Sequence, residues 1–413
     1  MKSKIVVSVV LLLITFCVSA SELISIQNFD VKPENSAAVN KVNLQKAIDW
    51  ATVRGATLYV EPSEEPYFVD GGIILKKNVS LIGVHGPTHR GTSHPTKKQP
   101  VGSVFAITDK ENAFITVELG TQIKGIQFWY PEQSIKDPTK IIPYKATIQV
   151  SKTSKTQGVY LSCLTFYGEY LAFDFNATRE NPCELMTFEH CYGYPLSGEF
   201  IRMDYCYDVP RVLHCHVNPA AQRYIGGQVS SAVVDAVIAK KTYAYTINHT
   251  DNAQIIDLFT FGTYGGIHLA GESYGQLTNF NFDCVAVGIL KQGNNTKNRN
   301  WQIAQGSIIA NTGEKVENIH PIIIEGKGHT SLSNVEAFSG GNGALTTVKE
   351  NSSWDYMLVR GDSKLTVSLW GARMRNYISD LPITVENEEA IIYVVGCFDK
   401  EEKLYNKTFG DNN

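Results

Sequence analysis

The chain has no surplus of basic residues. Its 37 lysine and arginine residues are outnumbered by 41 aspartate and glutamate residues, which gives a formal net charge of -4. Proteins that bind nucleic acid carry a basic patch or stripe, so this balance argues against a nucleic-acid partner. The pairs Lys97-Lys98 and Lys240-Lys241 are too short to form such a stripe. We therefore predict no nucleic-acid function.

Several familiar signatures of cofactor chemistry are also missing. The sequence contains no Walker loop, no dinucleotide-binding fingerprint and no Cys-x-x-Cys pair. Nucleotide, dinucleotide and dithiol chemistry therefore have no support in the sequence. We predict no cofactor.

The only long apolar run lies at the N-terminus. Two lysines in the first four residues precede a run from Ile5 to Val18, and small residues follow up to Ala20. This pattern predicts a cleaved secretory signal peptide over residues 1–20, with a mature chain that starts at Ser21. The run is too short for a membrane helix, and a phenylalanine before Cys17 disfavours a lipoprotein. We expect a periplasmic or extracellular protein that does not insert into the membrane.

Cysteines are few and odd in number once the signal peptide is removed. The seven that remain are Cys163, Cys183, Cys191, Cys206, Cys215, Cys284 and Cys397. An odd count argues against a complete disulfide framework. Five of them fall between Cys163 and Cys215, where either one bridge or stacked, buried free thiols would explain them.

A helix pattern followed by short strands opens the mature chain between Ala37 and Gly86. We expect Asn35 or Ser36 to cap the helix. Its apolar side is predicted to comprise Val39, Leu44, Ala47, Ile48 and Ala51. The strands after it have three to five residues and are separated by Gly, Asn, Pro or Lys. The pattern fits either an ordinary α/β start or a helix that closes the open end of a β-solenoid.

The segment 35–86 resembles the opening of the pectate-lyase-like superfamily. The likeness rests on "AAVNKVNLQKAI", "GATLYVEP" and "GGIILKKNVSLIGV". The resemblance implies an all-β fold, a right-handed parallel β-helix with a short N-terminal capping helix, in a single domain over residues 21–413. That superfamily includes polygalacturonase-like hydrolases, polysaccharide lyases and phage tailspike enzymes, so the resemblance also implies a carbohydrate substrate.

The catalytic motifs of that superfamily are absent here. The hydrolase motifs Asn-Thr-Asp, Asp-Asp, Gly-His-Gly and Arg-x-Lys do not occur, and neither does the lyase motif Trp-x-Asp-His. No catalytic residue can therefore be transferred from the family to this chain.

Short strands recur at the spacing of a solenoid, with starts some twenty residues apart at Tyr243, Gly266 and Gly288. Two stretches interrupt the rhythm, and we predict turn insertions at 85–100 and 219–242. The second contains a segment that reads as a short helix or an extended excursion. Such insertions either wall a binding groove or merely decorate the fold.

Potential catalytic side chains are concentrated between Asp174 and His216. If Phe173 and Met203 occupy the same core position, Asp174 and Asp204 point outward one coil apart, with Arg202 beside them. Carboxyl groups about 5 Å apart suit a retaining glycosidase, and a gap of roughly 6.5 to 9.5 Å suits an inverting one. Solvent-exposed aspartates without a role are the alternative.

Further charged side chains follow directly in the sequence. We predict supporting acid, base or charge-positioning roles for Asp208 and His214, as for Arg202. Asp208 and Arg211, on either side of a proline, could instead form an ion pair that stabilises a turn.

Histidines recur on the same coils. Stacking Cys191 under Cys215 would place His190 below His214, but alternation would then turn Glu189 into the core, which is costly without a partner. Either Glu189 is paired or the register slips by one residue. A metal site from His190, His214 and His216 is conceivable, but outward histidines are usually not ligands, so we predict no metal.

Aromatic and basic side chains near these carboxylates are candidates for sugar binding. Alternation places at least one aromatic of the run 128–130 outside the core. The predicted substrate-binding residues are Trp129, Tyr130, Tyr205, Tyr207, Arg211 and His216.

These observations favour a secreted carbohydrate-active enzyme whose partner is a polysaccharide or other glycan. A glycoside hydrolase that uses paired carboxylates is favoured over a polysaccharide lyase, which would often need calcium. A non-catalytic β-helix that binds glycan or serves a structural role is the alternative from another class.

Overall fold

A computed structural model of the protein describes residues 23–84, 100–220, 228–295, 299–310, 319–338 and 354–410. The predicted signal peptide lies outside the described residues. So do residues 85–99 of the first predicted insertion and residues 221–227 of the second. Within the described residues, no helix is both long enough and apolar enough to span a membrane.

Helix α1 (Ala37–Thr52) precedes the first complete coil. The hydroxyl of Ser36 caps it by accepting a hydrogen bond from the Val39 amide at 3.4 Å. The helix packs against the strands Thr57–Val60 and Ile73–Leu75, so it covers the first coil. The predicted capping helix is confirmed.

The inner side of α1 differs from the prediction at one position. Leu44, Ala47, Ile48 and Ala51 are buried as expected, but the side chain of Val39 is exposed. Asn40 is buried instead, because its side-chain amide donates to the carbonyl oxygens of Lys32 and Phe68. A polar residue is stable there because both hydrogen bonds compensate for its loss of water.

The strands of the described residues form three sheets. Sheet 1 has eleven strands: Ile73–Leu75, Ile115–Val117, Ile148–Val150, Phe173–Asn176, Ile201–Asp204, Tyr243–Ile247, Gly265–Leu269, Val287–Lys291, Ile322–Ile324, Met357–Val359 and Ile383–Val385. Sheet 3 has three: Thr156–Gln157, Cys183–Glu184 and Cys206–Tyr207.

Sheet 2 is the largest. Its strands are Ile24–Ser25, Thr57–Val60, Tyr67–Phe68, Ser80–Gly83, Val104–Ala106, Gln122–Lys124, Gln127–Trp129, Tyr160–Ser162, Thr165–Tyr167, Thr187–Glu189, Tyr192–Gly193, Arg211–Leu213, His216–Val217, Ala253–Ile256, Phe259–Phe261, Gly275–Val285, Asn300–Ala310, Gly328–Phe338, Leu365–Trp370, Arg373–Met374, Ala390–Phe398 and Leu404–Phe409.

The pairing of these strands gives a parallel β-helix. In sheet 1 each strand pairs in parallel with the strand one coil later, as Ile201–Asp204 does with Tyr243–Ile247. Among the strands named above, only the last, Leu404–Phe409, runs antiparallel, to Ala390–Phe398. Residues at matching positions therefore stack into ladders about 4.8 Å apart. Parallel crossovers are nearly always right-handed, so the right-handed coil stays our prediction.

The core lies between the sheets and contains a continuous stack of aromatic rings. Phe128 and Phe166 stack with centroids 5.1 Å apart, and Phe173 meets Phe166 edge-on at the same distance. All three rings are fully buried. Inward side chains of successive coils thus form one core along the solenoid.

A bend in each coil separates neighbouring strands of sheet 2. His190 and His214 occupy this bend with φ angles of 51° and 55°, in the left-handed region. Because such a residue turns the chain, the alternation of facing directions does not continue through it. Glu189 therefore stays outside, where it accepts a hydrogen bond from the Tyr160 hydroxyl, while Cys191 is buried.

Of the two alternatives for this register, the structure has the stack of Cys191 and Cys215 with a paired Glu189, whose side chain does not enter the core. The His190 and His214 rings stack with centroids 4.7 Å apart, as that register requires. The register needs no one-residue slip.

One disulfide joins Cys183 to Cys206 on adjacent strands of sheet 3. The structure thus realises the single bridge considered for this region. The other cysteines of the described residues are free thiols: Cys163, Cys191, Cys215, Cys284 and Cys397.

Two 3-10 helices, Ile26–Phe29 and Pro138–Lys140, and one further α-helix complete the described fold. Helix α2 (Ser231–Ile238) lies in the second predicted insertion and is capped by Ser230. Of the two alternatives for this segment, the structure has the helix.

Candidate functional site

The register of sheet 1 differs from the one predicted. Phe173 lies opposite Ile201 and Phe175 lies opposite Met203, so Asp174 lies opposite Arg202. The predicted stack of the two aspartates is therefore wrong by two residues. Facing directions repeat every two residues, so a slip of two leaves every side chain on its expected face and cannot be detected from the pattern alone.

Asp204 belongs to a separate cluster at the end of its strand. Its carboxylate accepts hydrogen bonds from the Asn248 side chain at 3.0 Å and the Tyr205 amide at 2.8 Å, and it contacts His249 Nδ1 at 2.8 Å. The Tyr205 ring stacks on His249 with centroids 4.6 Å apart. These contacts give Asp204 and Tyr205 structural partners away from Asp174.

His214 lies on sheet 2, not beside Asp174. Its Nδ1 contacts Asp257 Oδ2 at 2.8 Å, at the next bend of the coil. Asp208 is in a turn with φ 54°. The structure therefore does not bring the five predicted catalytic residues together; only Asp174 and Arg202 are neighbours.

The predicted ion pair of Asp208 with Arg211 is replaced by a backbone contact. Arg211 donates to the Val209 carbonyl at 3.3 Å. His216 is partly covered, because its ring stacks on Phe259 at 4.2 Å. Tyr207 lies opposite Glu184 in sheet 3. None of these residues faces Asp174.

The two neighbouring aromatic residues predicted to bind sugar, Trp129 and Tyr130, differ in exposure. Tyr130 is buried, and its hydroxyl forms a 2.7 Å hydrogen bond with Thr147, so it cannot stack on a sugar. Trp129 is partly exposed and packs against Tyr167. Only Trp129 of this pair keeps a surface that a ligand could contact.

The outward face of sheet 1 carries a ladder of polar side chains on consecutive coils. The paired positions are Gln149, Asp174, Arg202, Thr246 and His268. With about 4.8 Å between coils, the backbones of Asp174 and His268 are about 14 Å apart. This length matches several sugar units laid along the solenoid axis. We call this ladder the polar face.

Arg202, on the polar face, lies near two carboxylates, those of Glu199 and Asp174. Glu199 forms an ion pair with its guanidinium, and the two side chains are 16% and 32% exposed. Burial alone would lower the pKa of Arg202, but the hydrogen bond and charge of Glu199 and the charge of Asp174 raise it. Asp174 and Glu199 therefore act on the same cation.

A chain of hydrogen bonds holds His268 at the other end of the polar face. His268 Nε2 contacts Gln292 Oε1 at 2.9 Å, and Gln292 donates to Glu325 Oε1 at 2.5 Å. Glu325 in turn accepts a hydrogen bond from Arg360 Nε at 2.7 Å. Burial lowers the pKa of His268, although Gln292 and the charges of Glu325 and Glu199 oppose this shift.

Aromatic side chains flank the polar face at the His268 end. The Tyr243 ring is tilted over His268 at 5.2 Å and meets Tyr264 edge-on at 5.9 Å. A Cβ at Gly265 would lie only 2.1 Å from the Tyr243 ring, so the glycine makes room for it. Partly exposed tyrosine rings beside polar groups are suited to stacking on sugars.

The second predicted insertion contacts the other end of the polar face. Lys240, after helix α2, lies 5.6 Å above the Tyr170 ring. Thr242 donates to the Ser197 carbonyl at 2.9 Å, in the turn that carries Glu199. Whether this insertion walls a binding groove or decorates the fold stays a prediction.

Sequence reasoning missed His268 of the polar face and the hydrogen-bonding and ion-pair partners around it. Glu199, His268, Gln292, Glu325 and Arg360 were not among the predicted residues. These residues can be recognised once the register of sheet 1 is known, because the register shows which polar side chains of successive coils lie close together.

A Gly-x-Ser-x-Gly spacing at 271–275 does not mark a nucleophile. Ser273 is buried, and its hydroxyl donates to the Ala270 carbonyl at 2.6 Å. The segment joins two strands, whereas a nucleophile elbow joins a strand to a helix. In the described part of the chain, no group of three His, Cys, Asp or Glu side chains is arranged to hold a metal ion.

Comparison with known proteins identifies the fold. No protein-family model matches the chain, and no curated protein matches it in sequence. Among solved structures, DFA-IIIase from Arthrobacter chlorophenolicus A6 in complex with GF2 matches with a TM-score of 0.63 at 10% identity, covering 90% of this chain and 94% of that chain. The two chains share a fold.

Two further structures extend this comparison. A point mutant of the same DFA-IIIase in complex with DFA-III has a TM-score of 0.64 at 10% identity, covering 92% of this chain and 96% of that chain. The Azotobacter vinelandii mannuronan C-5 epimerase AlgE6 A-module has a TM-score of 0.48 at 12% identity, covering 89% and 99%. The likeness to DFA-IIIase is consistent with the pectate-lyase-like resemblance, while membership of that superfamily stays a prediction.

Proposed function

We propose that this protein is a secreted carbohydrate-active enzyme that binds a glycan along the polar face of sheet 1. The mature chain, residues 21–413, would form a single β-helix domain of right-handed coil. The observation that carries the proposal is the placement of two carboxylates near Arg202: Glu199 forms an ion pair with it, and Asp174 lies opposite it on the preceding coil. This pair replaces the Asp174 and Asp204 pair expected from the sequence.

Hydrolysis of a glycosidic bond requires two carboxyl groups with different tasks. One protonates the leaving oxygen, and the other acts as a base or nucleophile. Glu199 is held in an ion pair with Arg202, which suits the base or nucleophile. Asp174 lies one coil away, opposite Arg202, and we assign it the remaining role of proton donor. No cofactor enters this scheme.

The fold comparison is compatible with a carbohydrate substrate. The DFA-IIIase structures contain the carbohydrate ligands GF2 and DFA-III. At 10% identity this likeness supports the choice of substrate class for testing, and it assigns no residue.

A panel of polysaccharides tests the proposal. Wild-type protein, Asp174→Asn and Glu199→Gln would be incubated with each polymer, and new reducing ends would be measured. We expect turnover by the wild type and a loss of about 10²-fold or more in each variant. Glu184→Gln, which removes a carboxylate paired with Lys155 on sheet 3, is the matched control. Full activity of Glu199→Gln would overturn the assignment.

The same panel separates the alternatives. A lyase would release an unsaturated product that absorbs in the ultraviolet, often with a need for calcium. A non-catalytic glycan-binding protein is favoured by the missing catalytic motifs of the superfamily, and it would bind a polymer without releasing product. Either result would reject hydrolysis.

A further inference from the structure

His268 ends a chain of hydrogen bonds that has one consistent direction. Arg360 only donates, and the Glu325 carboxylate only accepts, so Gln292 must present its Nε2 to Glu325. That orientation presents Gln292 Oε1 to His268 Nε2 at 2.9 Å. An amide oxygen only accepts, so the proton of a neutral His268 lies on Nε2.

This tautomer leaves a lone pair on Nδ1 of His268. Burial lowers the pKa of the ring more than Gln292, Glu325 and Glu199 raise it, so the ring is neutral at neutral pH. Within the described part of the chain, Nδ1 has no hydrogen-bond partner. His268 lies on the polar face two coils beyond Arg202. Nδ1 is thus a free acceptor at the proposed glycan site.

The charges of the polar face are the second observation. Arg202 is paired with Glu199, and Arg360 is paired with Glu325. Asp174 adds a further negative charge, and the nearby Lys240 lies over the Tyr170 ring at the edge. Among the described residues, the face therefore offers no unpaired guanidinium to an acidic sugar.

We propose that the polar face selects an uncharged glycan, one hydroxyl of which donates a hydrogen bond to Nδ1 of His268. This inference rests on the proposed function. A hydroxyl group can donate to the lone pair, whereas the carboxylate of a uronic acid can only accept and would be repelled. Gln292, Glu325 and Arg360 are positioning residues, because they fix the tautomer that exposes the acceptor.

Two variants at the same position separate the two ring nitrogens. Asparagine reaches the position of Nδ1 and can offer its oxygen there, while it loses the contact with Gln292. Glutamine reaches the position of Nε2 and can still donate to Gln292, while it leaves no acceptor at Nδ1. His268→Asn and His268→Gln would be compared for binding to neutral and uronate polymers by calorimetry.

We expect His268→Gln to bind the neutral glycan at least about tenfold more weakly than the wild type, and His268→Asn to remain within about threefold. His329→Gln is the matched control, because His329 lies on sheet 2 with Nε2 on Ser368 Oγ at 3.0 Å. Equal losses in both His268 variants would overturn the role of Nδ1.

A spectroscopic measurement tests the positioning residues without a ligand. Nitrogen-15 shifts of His268 should report the Nε2-protonated tautomer in the wild type and a mixture in Glu325→Gln. A wild-type Nδ1-protonated ring would overturn the inference and leave the proposed function standing. Preferential binding of polyuronates would overturn the substrate class alone, and the absence of any glycan binding would overturn both proposals.

Discussion

Arg202 lies directly opposite Asp174 on the next coil of sheet 1, while its guanidinium pairs with Glu199 from the preceding turn. Both carboxylates act on the Arg202 guanidinium, Glu199 through an ion pair and Asp174 through its charge. The proposed chemistry depends on that cation being a planar fork and not merely a positive charge.

Replacement of Arg202 by lysine tests the geometry of this cluster. Lysine keeps the charge that acts on Asp174 but cannot hold Glu199 with a planar fork, so we expect kcat to fall by about 10- to 100-fold. Steady-state kinetics on the best polymer would measure the effect. Turnover equal to that of the wild type would show that Arg202 does not organise the site.

Asp204→Asn is expected to affect stability and not turnover. The Asp204 carboxylate accepts hydrogen bonds from Asn248 and the Tyr205 amide, so loss of an acceptor oxygen should cost about 1–3 kcal/mol. Turnover should remain within about threefold, because Asp204 does not contact Asp174 or Arg202. Chemical denaturation and the polymer assay would measure both. Asp208→Asn, at a turn, is the control. A large loss of kcat without destabilisation would restore Asp204 to the catalytic centre.

Glu169 should make the protein less stable as the pH rises. Its side chain is fully buried, and burial raises its pKa from 4.5 to about 8, against the nearby backbone amides. The folded state therefore binds a proton that the unfolded state has lost between pH 4.5 and about 8. Stability should decrease over this range by up to about 1.4 kcal/mol per pH unit, and the loss is complete above the folded pKa.

Denaturation midpoints at several pH values would test this linkage. Glu169→Gln removes the titrating group with little change in shape, so its stability should vary less between about pH 5 and pH 8 than that of the wild type. An unchanged pH dependence in the variant would show that other groups cause it.

The bridge between Cys183 and Cys206 should contribute to stability through the unfolded chain. It closes a loop of 23 positions, for which the chain-entropy model gives about 3 kcal/mol. The double variant Cys183→Ser, Cys206→Ser should unfold at lower urea concentration, while Cys163→Ser, at a free thiol, controls for loss of a cysteine. Thiol titration of the denatured mature protein should find five free groups before reduction; seven would contradict the bridge.

Local sequence patterns were sufficient for the elements that depend on local physics. The Ser36 cap follows from capping preference, the burial of Leu44, Ala47, Ile48 and Ala51 from the helical period, and the stack of Cys191 on Cys215 from period-two alternation. The outward direction of the Glu189 side chain does not follow from alternation, because a left-handed residue at His190 interrupts the alternation. Only the structure reveals where such a bend occurs.

The polar face could not be found from sequence because its coils differ in length. Asp174 and Arg202 are 28 positions apart, Arg202 and Thr246 are 44, and Thr246 and His268 are 22. A fixed repeat therefore cannot bring these residues into register. Asp174 and Arg202 were recognised as candidates, but a two-residue slip gave Asp174 the wrong partner.

The most direct test of the account is a structure of the Glu199→Gln variant with an oligosaccharide from the best substrate. We predict that the sugar chain lies along the solenoid axis on the polar face, between Asp174 and His268, with the cleavage point beside Arg202. A sugar bound instead at the histidine stack of sheet 2 or at the Asp204 cluster would contradict the central claim.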